Sequence, residues 1–178
     1  GQRPEECRSG GRYPGIGRPP VNGFPRVVVD DERTDPDSAL PVDLNRLSDI
    51  VRDVLDAEGL GERDLEVHLH FVDEQPMADL NAEHMGAAGP TDVLSFPVDD
   101  PAEVPDGVPV LLGDVVVCPT VAERQAPGHA GDYHSELVLL LVHGVLHLLG
   151  HDHAEPAEEA AMQVREREHL GRHGMARP

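Results

Sequence analysis

Three histidines in one short run constrain the fold of this chain more than any other feature. His143, His147 and His153 follow the pattern H-x3-H-x2-G-x2-H. Two histidines four residues apart on a helix share one face, so both imidazoles can reach the same ion. Gly150 can adopt the left-handed backbone that ends a helix and turns the chain back toward that ion. The spacing predicts a site held by three imidazoles with an open fourth position, which is typical of catalytic zinc.

The residue after the first histidine separates this pattern from that of zinc peptidases. Peptidases with this spacing carry Glu there as the general base, whereas this chain has Gly144, which cannot accept a proton. A catalytic metal site is the leading interpretation, and a non-catalytic metal site is one alternative. Histidines without any metal are the other alternative. That alternative is disfavoured because Leu146, Leu148 and Leu149 already supply the apolar face of such a helix.

The net charge argues against one broad class of function. The chain has 178 residues, enough for one domain with tails, and its formal net charge is -20. A body this acidic repels nucleic acid in bulk, because non-specific affinity comes from neutralising phosphates. A generic nucleic-acid binder is therefore disfavoured. Action on RNA would require a local basic or metal-centred groove, or a larger partner that supplies the contacts.

Composition divides the chain into three parts. Residues 1–25 are positively charged and rich in Gly and Pro, which predicts a disordered tail because they bury too little surface to become ordered. Residues 26–172 are predicted to form one metal-dependent hydrolase domain, and residues 173–178 a short C-terminal tail. No secretory signal is recognisable, and the apolar run 137–142 is too short to span a bilayer. The expected location is therefore the cytoplasm, without a membrane partner.

Hydrophobic periodicity predicts an α+β domain. Strands are expected where apolar residues alternate or run together, and helices where they recur every three to four residues. The predicted strands cover residues 27–29, 65–72, 91–98 and 111–118. The predicted helices cover residues 43–57, 75–84, 119–125, 133–149 and 155–170. This order indicates a mixed sheet with about five helices packed on it.

Polar residues interrupt the third and fourth predicted strands. Asp92 and Ser95 lie in the otherwise apolar run 90–97, and Asp114 follows Gly113 in the next strand. One interpretation is that they are ordinary turn and edge residues. The other is that two strands present polar groups beside the metal helix and line a cleft.

Acidic residues near the histidine run also allow more than one role. Asp152 lies between His151 and His153 and could hold the second nitrogen of a ligating imidazole, or could cap the turn after Gly150. Glu136 lies two helical turns before the first histidine and is interpreted as a favourable charge in the first turn of the helix.

The remaining histidines lack the spacing of metal ligands. His68 and His70 alternate with apolar residues and are interpreted as the wet face of a half-buried strand. Four more histidines are expected to face solvent: His129, His134, His169 and His173.

The run 143–153 closely resembles the signature of the bacterial YbeY family of endoribonucleases and rRNA maturation factors. The resemblance covers about residues 27–170 and includes Leu80-Asn81, 90–97, Leu112-Gly113-Asp114 and Glu136-Leu137 in the family's order. It implies one α+β domain with a mixed, mostly parallel four-stranded sheet. It also implies one zinc ion per chain on His143, His147 and His153, and a role in 16S rRNA 3′-end maturation and ribosome quality control.

Two positions depart from the family pattern. The family often has an aromatic residue where this chain has His151. It often has an Arg linked with RNA cleavage soon after Leu-Asn, where this chain has His84-Met85. The missing Arg removes a phosphate contact, and Arg124, just after the fourth strand, is a candidate substitute.

Sequence and resemblance together predict a metal-dependent endoribonuclease directed at single-stranded RNA in rRNA processing. The three histidines would act through zinc, which lowers the pKa of bound water toward about 7 and polarises a phosphoryl oxygen. The candidate supporting or substrate-contacting residues are Asp92, Ser95, Asp114, Arg124 and Asp152. The expected partners are rRNA and ribosomal subunits or ribosomal proteins, not DNA. A non-catalytic ribosome-assembly factor with a structural metal is the alternative, and a zinc peptidase is a weaker one.

Overall fold

Four strands and five helices make up the part of the chain that the computed structural model describes, residues 25–36, 39–151 and 154–175. The strands are β1 Arg26–Asp31, β2 Leu65–Phe71, β3 Val93–Pro97 and β4 Val110–Val117. The helices are α1 Leu44–Ala57, α2 Glu74–Met85, α3 Pro119–Gln125, α4 Tyr133–Leu148 and α5 Pro156–Arg172, with a 3₁₀ turn at Ala126–Gly128. Most of the predicted tail over 1–25, together with Asp152 and His153, lies outside the described residues.

The strands form one mixed sheet in the order β1-β2-β4-β3. β1 pairs with β2, and β2 with β4, in parallel, while β3 runs antiparallel to β4. The predicted α+β class and the mostly parallel four-stranded sheet are therefore confirmed. Among the described residues, no helix is both long enough and apolar enough to cross a membrane.

Helix α4 lies in the centre of the core because it is apolar on nearly every side. Its buried residues include the whole run 137–142 together with Val145 and Leu146. It begins at the N-cap Asp132, whose side chain accepts a hydrogen bond from the Ser135 amide at 2.9 Å. It ends just before Gly150, whose φ of +91° confirms the predicted left-handed turn. Both ends are thus fixed by local hydrogen bonding, and the first two histidines lie on a rigid element.

A glycine allows α4 to approach the sheet closely. A Cβ atom at Gly144 would lie 2.6 Å from Cγ1 of Val115 on β4 and 3.2 Å from Oγ of Ser95 on β3. The Ser95 hydroxyl also donates a hydrogen bond to the Gly144 carbonyl at 3.1 Å. Position 144 therefore faces the sheet, which explains why this helix has Gly there.

The other face of the sheet carries a smaller apolar cluster. Strand alternation places Val115 and Val117 toward α4 and α1, and Val116 on the opposite face. There Val116 packs with Met77 of α2 and with three further buried residues, Val72, Leu94 and Cys118. The sheet thus separates two environments, one with the histidines of α4 and one with the outward side chains of β2.

Candidate metal centre

His143 and His147 place two ring nitrogens at a separation close to that of two nitrogen ligands of one zinc ion. Their Nε2 atoms lie 3.1 Å apart, and the two rings meet edge to face with centroids 4.6 Å apart. Two nitrogen ligands of a tetrahedral zinc ion, each about 2.0–2.1 Å from the metal, are about 3.3 Å apart. His153, the third predicted ligand, and Asp152, its neighbour, lie outside the described residues and stay predictions.

A buried carboxylate from α5 holds the other nitrogen of His143. Glu166 is 1% exposed, and its Oε1 lies 2.5 Å from His143 Nδ1. A metal-binding histidine commonly donates its second N–H to such a carboxylate, which fixes the tautomer and the ring. Sequence reasoning considered Asp152 for this role and missed Glu166. The available signal was its place on the buried stripe of α5, at a spacing of four residues from both Met162 and Leu170.

The two histidines open into a cavity of about 490 Å³. Its lining comes from α4, from residues 92–96 at the start of β3, and from Met85, His129 and Glu166. No Arg or Lys belongs to this lining among the described residues. Met85, where the family resemblance leads one to expect Arg, is 66% exposed, and its side chain carries no charge.

Asp92 and Ser95 both line this cavity, as the cleft interpretation predicts. Asp92 also acts as a turn residue, because its Oδ1 accepts a hydrogen bond from the Val93 amide at 2.7 Å. Its Oδ2 accepts a hydrogen bond at 2.8 Å from the side-chain amide of Gln125. Asp92 is therefore both a turn residue and a residue of the cavity lining.

Glu136 has a larger role than the first-turn charge predicted from the sequence. Its carboxylate is fully buried and accepts hydrogen bonds from Gln125 Nε2 at 2.7 Å, from His129 Nδ1 at 2.8 Å and from the Ala130 amide at 3.0 Å. The side chain of His129 is 43% exposed, as expected from the sequence, but it also lines the cavity, and Glu136 holds its Nδ1. An isolated buried carboxylate is costly, and these three donors stabilise it.

His169 also differs from its predicted exposure. It is 3% exposed, and its Nε2 lies 2.6 Å from Oε1 of Glu58 at the end of α1. Arg165 donates to the other oxygen of Glu58 at 2.7 Å. A histidine can be buried when a charged partner satisfies it, and sequence spacing alone does not show a partner 111 residues away.

Asp114 does not line the cleft, contrary to the functional interpretation of its strand. A bulge in β4 places one extra residue there, so that Glu66 pairs with Leu111 but Val67 pairs with Gly113. One extra residue moves all later side chains to the other face. Asp114 consequently faces away from α4, and its Oδ1 lies 2.8 Å from His70 Nε2.

Arg124 lies outside the cleft as well. Its Nη1 is 2.6 Å from Oε1 of Glu74 at the start of α2, and it is not among the residues that line the cavity. The structure therefore gives no support to Arg124 as a substitute for the family Arg.

Comparison with known proteins assigns the chain to a family. The family model described as Endoribonuclease YbeY matches residues 32–174. A relative with that name from Thermobifida fusca is 46% identical over 129 residues, which cover 71% of this chain and 83% of the relative. A second relative with that name, from Frankia alni, is 49% identical over 127 residues, which cover 68% of this chain and 70% of the relative. The solution structure of TM1509 from Thermotoga maritima matches with a TM-score of 0.52 and 25% identity, covering 84% of this chain and 91% of that one. The chain belongs to the endoribonuclease YbeY family.

Proposed function

We propose that this protein is a zinc-dependent endoribonuclease that cleaves single-stranded RNA during rRNA processing, at the 3′ end of 16S rRNA. The observation that carries the proposal is the pair of Nε2 atoms of His143 and His147, 3.1 Å apart at a cavity, with a buried carboxylate behind the first ring. The curated relatives from Thermobifida fusca and Frankia alni have the name Endoribonuclease YbeY, which supports the RNA-cleaving activity.

The residues present fit a zinc ion. His143 and His147 would hold it with His153, and imidazole nitrogen is a ligand that suits zinc. Glu166 would keep the proton of His143 on Nδ1, so that Nε2 would be the nitrogen that binds the ion. A bound zinc ion would supply Lewis-acid chemistry at the scissile phosphate and offset part of the negative charge there.

His129 and Glu136 supply a route for the proton. The attacking group, either water or the 2′-hydroxyl of the substrate, must lose a proton as its oxygen forms the new bond to phosphorus. Glu136 holds Nδ1 of His129 at 2.8 Å, which leaves Nε2 as the ring nitrogen that a substrate in the cavity can reach. His129 accepts the proton at Nε2 and returns it to the 5′-oxygen as the bond from that oxygen to phosphorus breaks.

The acidic surface determines how the RNA is bound. With a net charge of -20 and no Arg or Lys in the described cavity lining, the described residues around the cavity offer few phosphate contacts. We propose that ribosomal subunits or ribosomal proteins present the rRNA end to the cavity, in the cytoplasm where these particles are assembled.

The absence of Arg and Lys from the described cavity lining supports a second candidate, a ribosome-assembly factor whose metal is structural. Exposed Met85 in place of Arg removes a contact that cleavage would use. A peptidase is weaker, because Gly144 cannot act as a base and a side chain at that position would meet Val115 of the sheet.

One assay separates the three functions. Zinc-loaded wild type, His147→Ala and the control His134→Ala would be incubated with 16S rRNA precursor, free and within small ribosomal subunits, and with a peptide library. His134 is a suitable control because its contact is with Arg46, away from the cavity. We expect RNA cleavage by wild type and His134→Ala only, and no peptide hydrolysis. Binding to subunits without cleavage would favour the assembly factor, and cleaved peptides would favour a peptidase.

A further inference from the structure

A second group of metal-binding side chains lies on the face of the sheet opposite α4. His68 and His70 alternate on β2, and Asp114 on β4 is the register partner of His68. All three side chains are partly buried, and each offers a ligand atom within 4.8 Å of the others. Residues two apart on a strand share a face, and neighbouring strands are about 4.8 Å apart. The sheet itself therefore brings two imidazoles and one carboxylate together.

The surroundings of His70 are those of a metal-binding imidazole. Its Nε2 lies 2.8 Å from Asp114 Oδ1, and its Nδ1 lies 3.1 Å from Oε2 of Glu32. Metal-bound histidines typically have one nitrogen on the ion and the other on a carboxylate. Glu32 directly follows β1, so the ring of His70 on β2 is held by a residue of β4 and by the residue after β1.

The local charge favours a cation. Three carboxylates, Glu32, Glu66 and Asp114, contact the two imidazoles, and Arg26 pairs with Glu66 alone among them. Neutral imidazole together with carboxylate suits first-row divalent metals, of which zinc takes this ligand set most commonly. His70 and Asp114 line a cavity of about 450 Å³ with an apolar wall that includes Val72, Leu80 and Phe96. An ion can reach the ligands through this opening.

We propose that His68, His70 and Asp114 form a second divalent transition-metal site, with zinc as its ion, that links β2 to β4. The sequence alone predicts one zinc ion per chain, on α4. This site does not depend on the proposed function, because the sheet lies between it and His143 and His147 of α4.

Zinc content measures the second site directly. The full chain would be stripped with chelator, equilibrated with zinc at a buffered micromolar concentration, and analysed for bound metal. We expect about two ions in wild type and in the control His134→Ala, and about one in His70→Ala and in Asp114→Asn, because the remaining ligands hold zinc weakly. His147→Ala should also retain about one ion. Equal zinc in wild type, His70→Ala and Asp114→Asn would overturn the proposal, whatever His147→Ala shows.

Thermal unfolding gives a second, site-specific test. Zinc bound only by the folded state raises the unfolding temperature. In the His147→Ala background we expect zinc to raise the unfolding temperature. Adding either His70→Ala or Asp114→Asn to that background should abolish the increase. Circular dichroism would confirm that each variant is folded before zinc is added. An equal increase in all of these variants would show that the ion binds elsewhere.

Discussion

At the scale of single residues, the cavity depends on carboxylates that lie behind its histidines. Glu166 holds His143, and Glu136 holds His129, each from a position that is almost completely buried. Each carboxylate fixes which ring nitrogen carries the proton and which faces the cavity. In the chemistry we propose, the two carboxylates therefore orient two histidines of the cavity, His143 as a metal ligand and His129 as the proton-transfer group.

Glu166→Gln tests the first of these pairs. The amide keeps the size of the side chain but removes the charge that stabilises the Nδ1 proton of His143. We expect zinc affinity at α4 to fall about 10–100-fold, measured by competition with a coloured chelator in a His70→Ala background. Glu159→Gln, on the exposed side of the same helix, is the matched control. Unchanged affinity in Glu166→Gln would show that Glu166 does not support a metal ligand.

His129→Asn tests the proton route. We expect the single-turnover rate of RNA cleavage to fall about 10²–10⁴-fold, because general acid–base catalysis contributes on that order. Zinc content should stay at the wild-type level, which distinguishes a proton-transfer role from metal binding. Cleavage at the wild-type rate, or with an unaltered pH profile, would remove His129 from the mechanism.

At the scale of elements, α4 is fixed between the sheet and α5. Gly144 allows it to approach Val115 and Ser95 of the sheet, and Glu166 of α5 reaches His143 from the other side. Helix α5 is in turn linked to α1 through Glu58, which contacts both Arg165 and His169. The position of the histidines therefore depends on contacts among three helices and two strands.

Gly144→Ala should destabilise the protein, although Ala normally favours a helix over Gly by about 1 kcal/mol. The added Cβ would lie 2.6 Å from Cγ1 of the buried Val115, and overpacking of this kind costs about 1–3 kcal/mol. Gly171→Ala is the control, since Gly171 lies in α5 with nothing within 4 Å of an added Cβ. Urea unfolding should show lower stability for Gly144→Ala and unchanged or higher stability for Gly171→Ala. Increased stability in both variants would contradict the close approach.

Glu58 makes the contact between α1 and α5 dependent on pH. Burial alone would raise its pKa, but hydrogen bonds from His169 and Arg165 outweigh burial and hold the pKa below the ordinary value of 4.5. A carboxylate with a lowered pKa stabilises the folded state above that ordinary value, and this contribution is lost as the pH falls through the folded-state pKa.

Glu58→Gln should therefore lower the free energy of unfolding by about 1–3 kcal/mol at pH 7. The difference in this free energy from wild type should shrink as the pH falls below 4.5. Urea unfolding at several pH values measures this difference. Glu168→Gln, which removes an exposed partner of the same Arg165, should change stability little at any pH. A difference that is constant from pH 7 down to acid unfolding would show that the charge of Glu58 does not matter.

At the scale of the whole molecule, the sequence predicts the elements better than the contacts between them. Apolar periodicity is a local signal, so it places the strands and helices close to their observed bounds. The bulge at Leu112 and Gly113, which turns Asp114 to the other face, does not show in this periodicity, and its local signal is the glycine inside the strand. Glu166 and His169 have partners on distant elements, and for that reason spacing could not identify them.

The central claim is that His143 and His147 hold a metal that RNA cleavage requires, and zinc titration of the cleavage rate tests it most directly. Chelator-treated wild type, His147→Ala and His70→Ala would be titrated with zinc on 16S rRNA precursor. We expect zinc to restore cleavage in wild type and in His70→Ala. In His147→Ala the rate should stay about three orders of magnitude lower, because a catalytic metal supplies several kcal/mol of transition-state stabilisation. Full cleavage by the chelator-treated protein, or by zinc-loaded His147→Ala, would contradict the account.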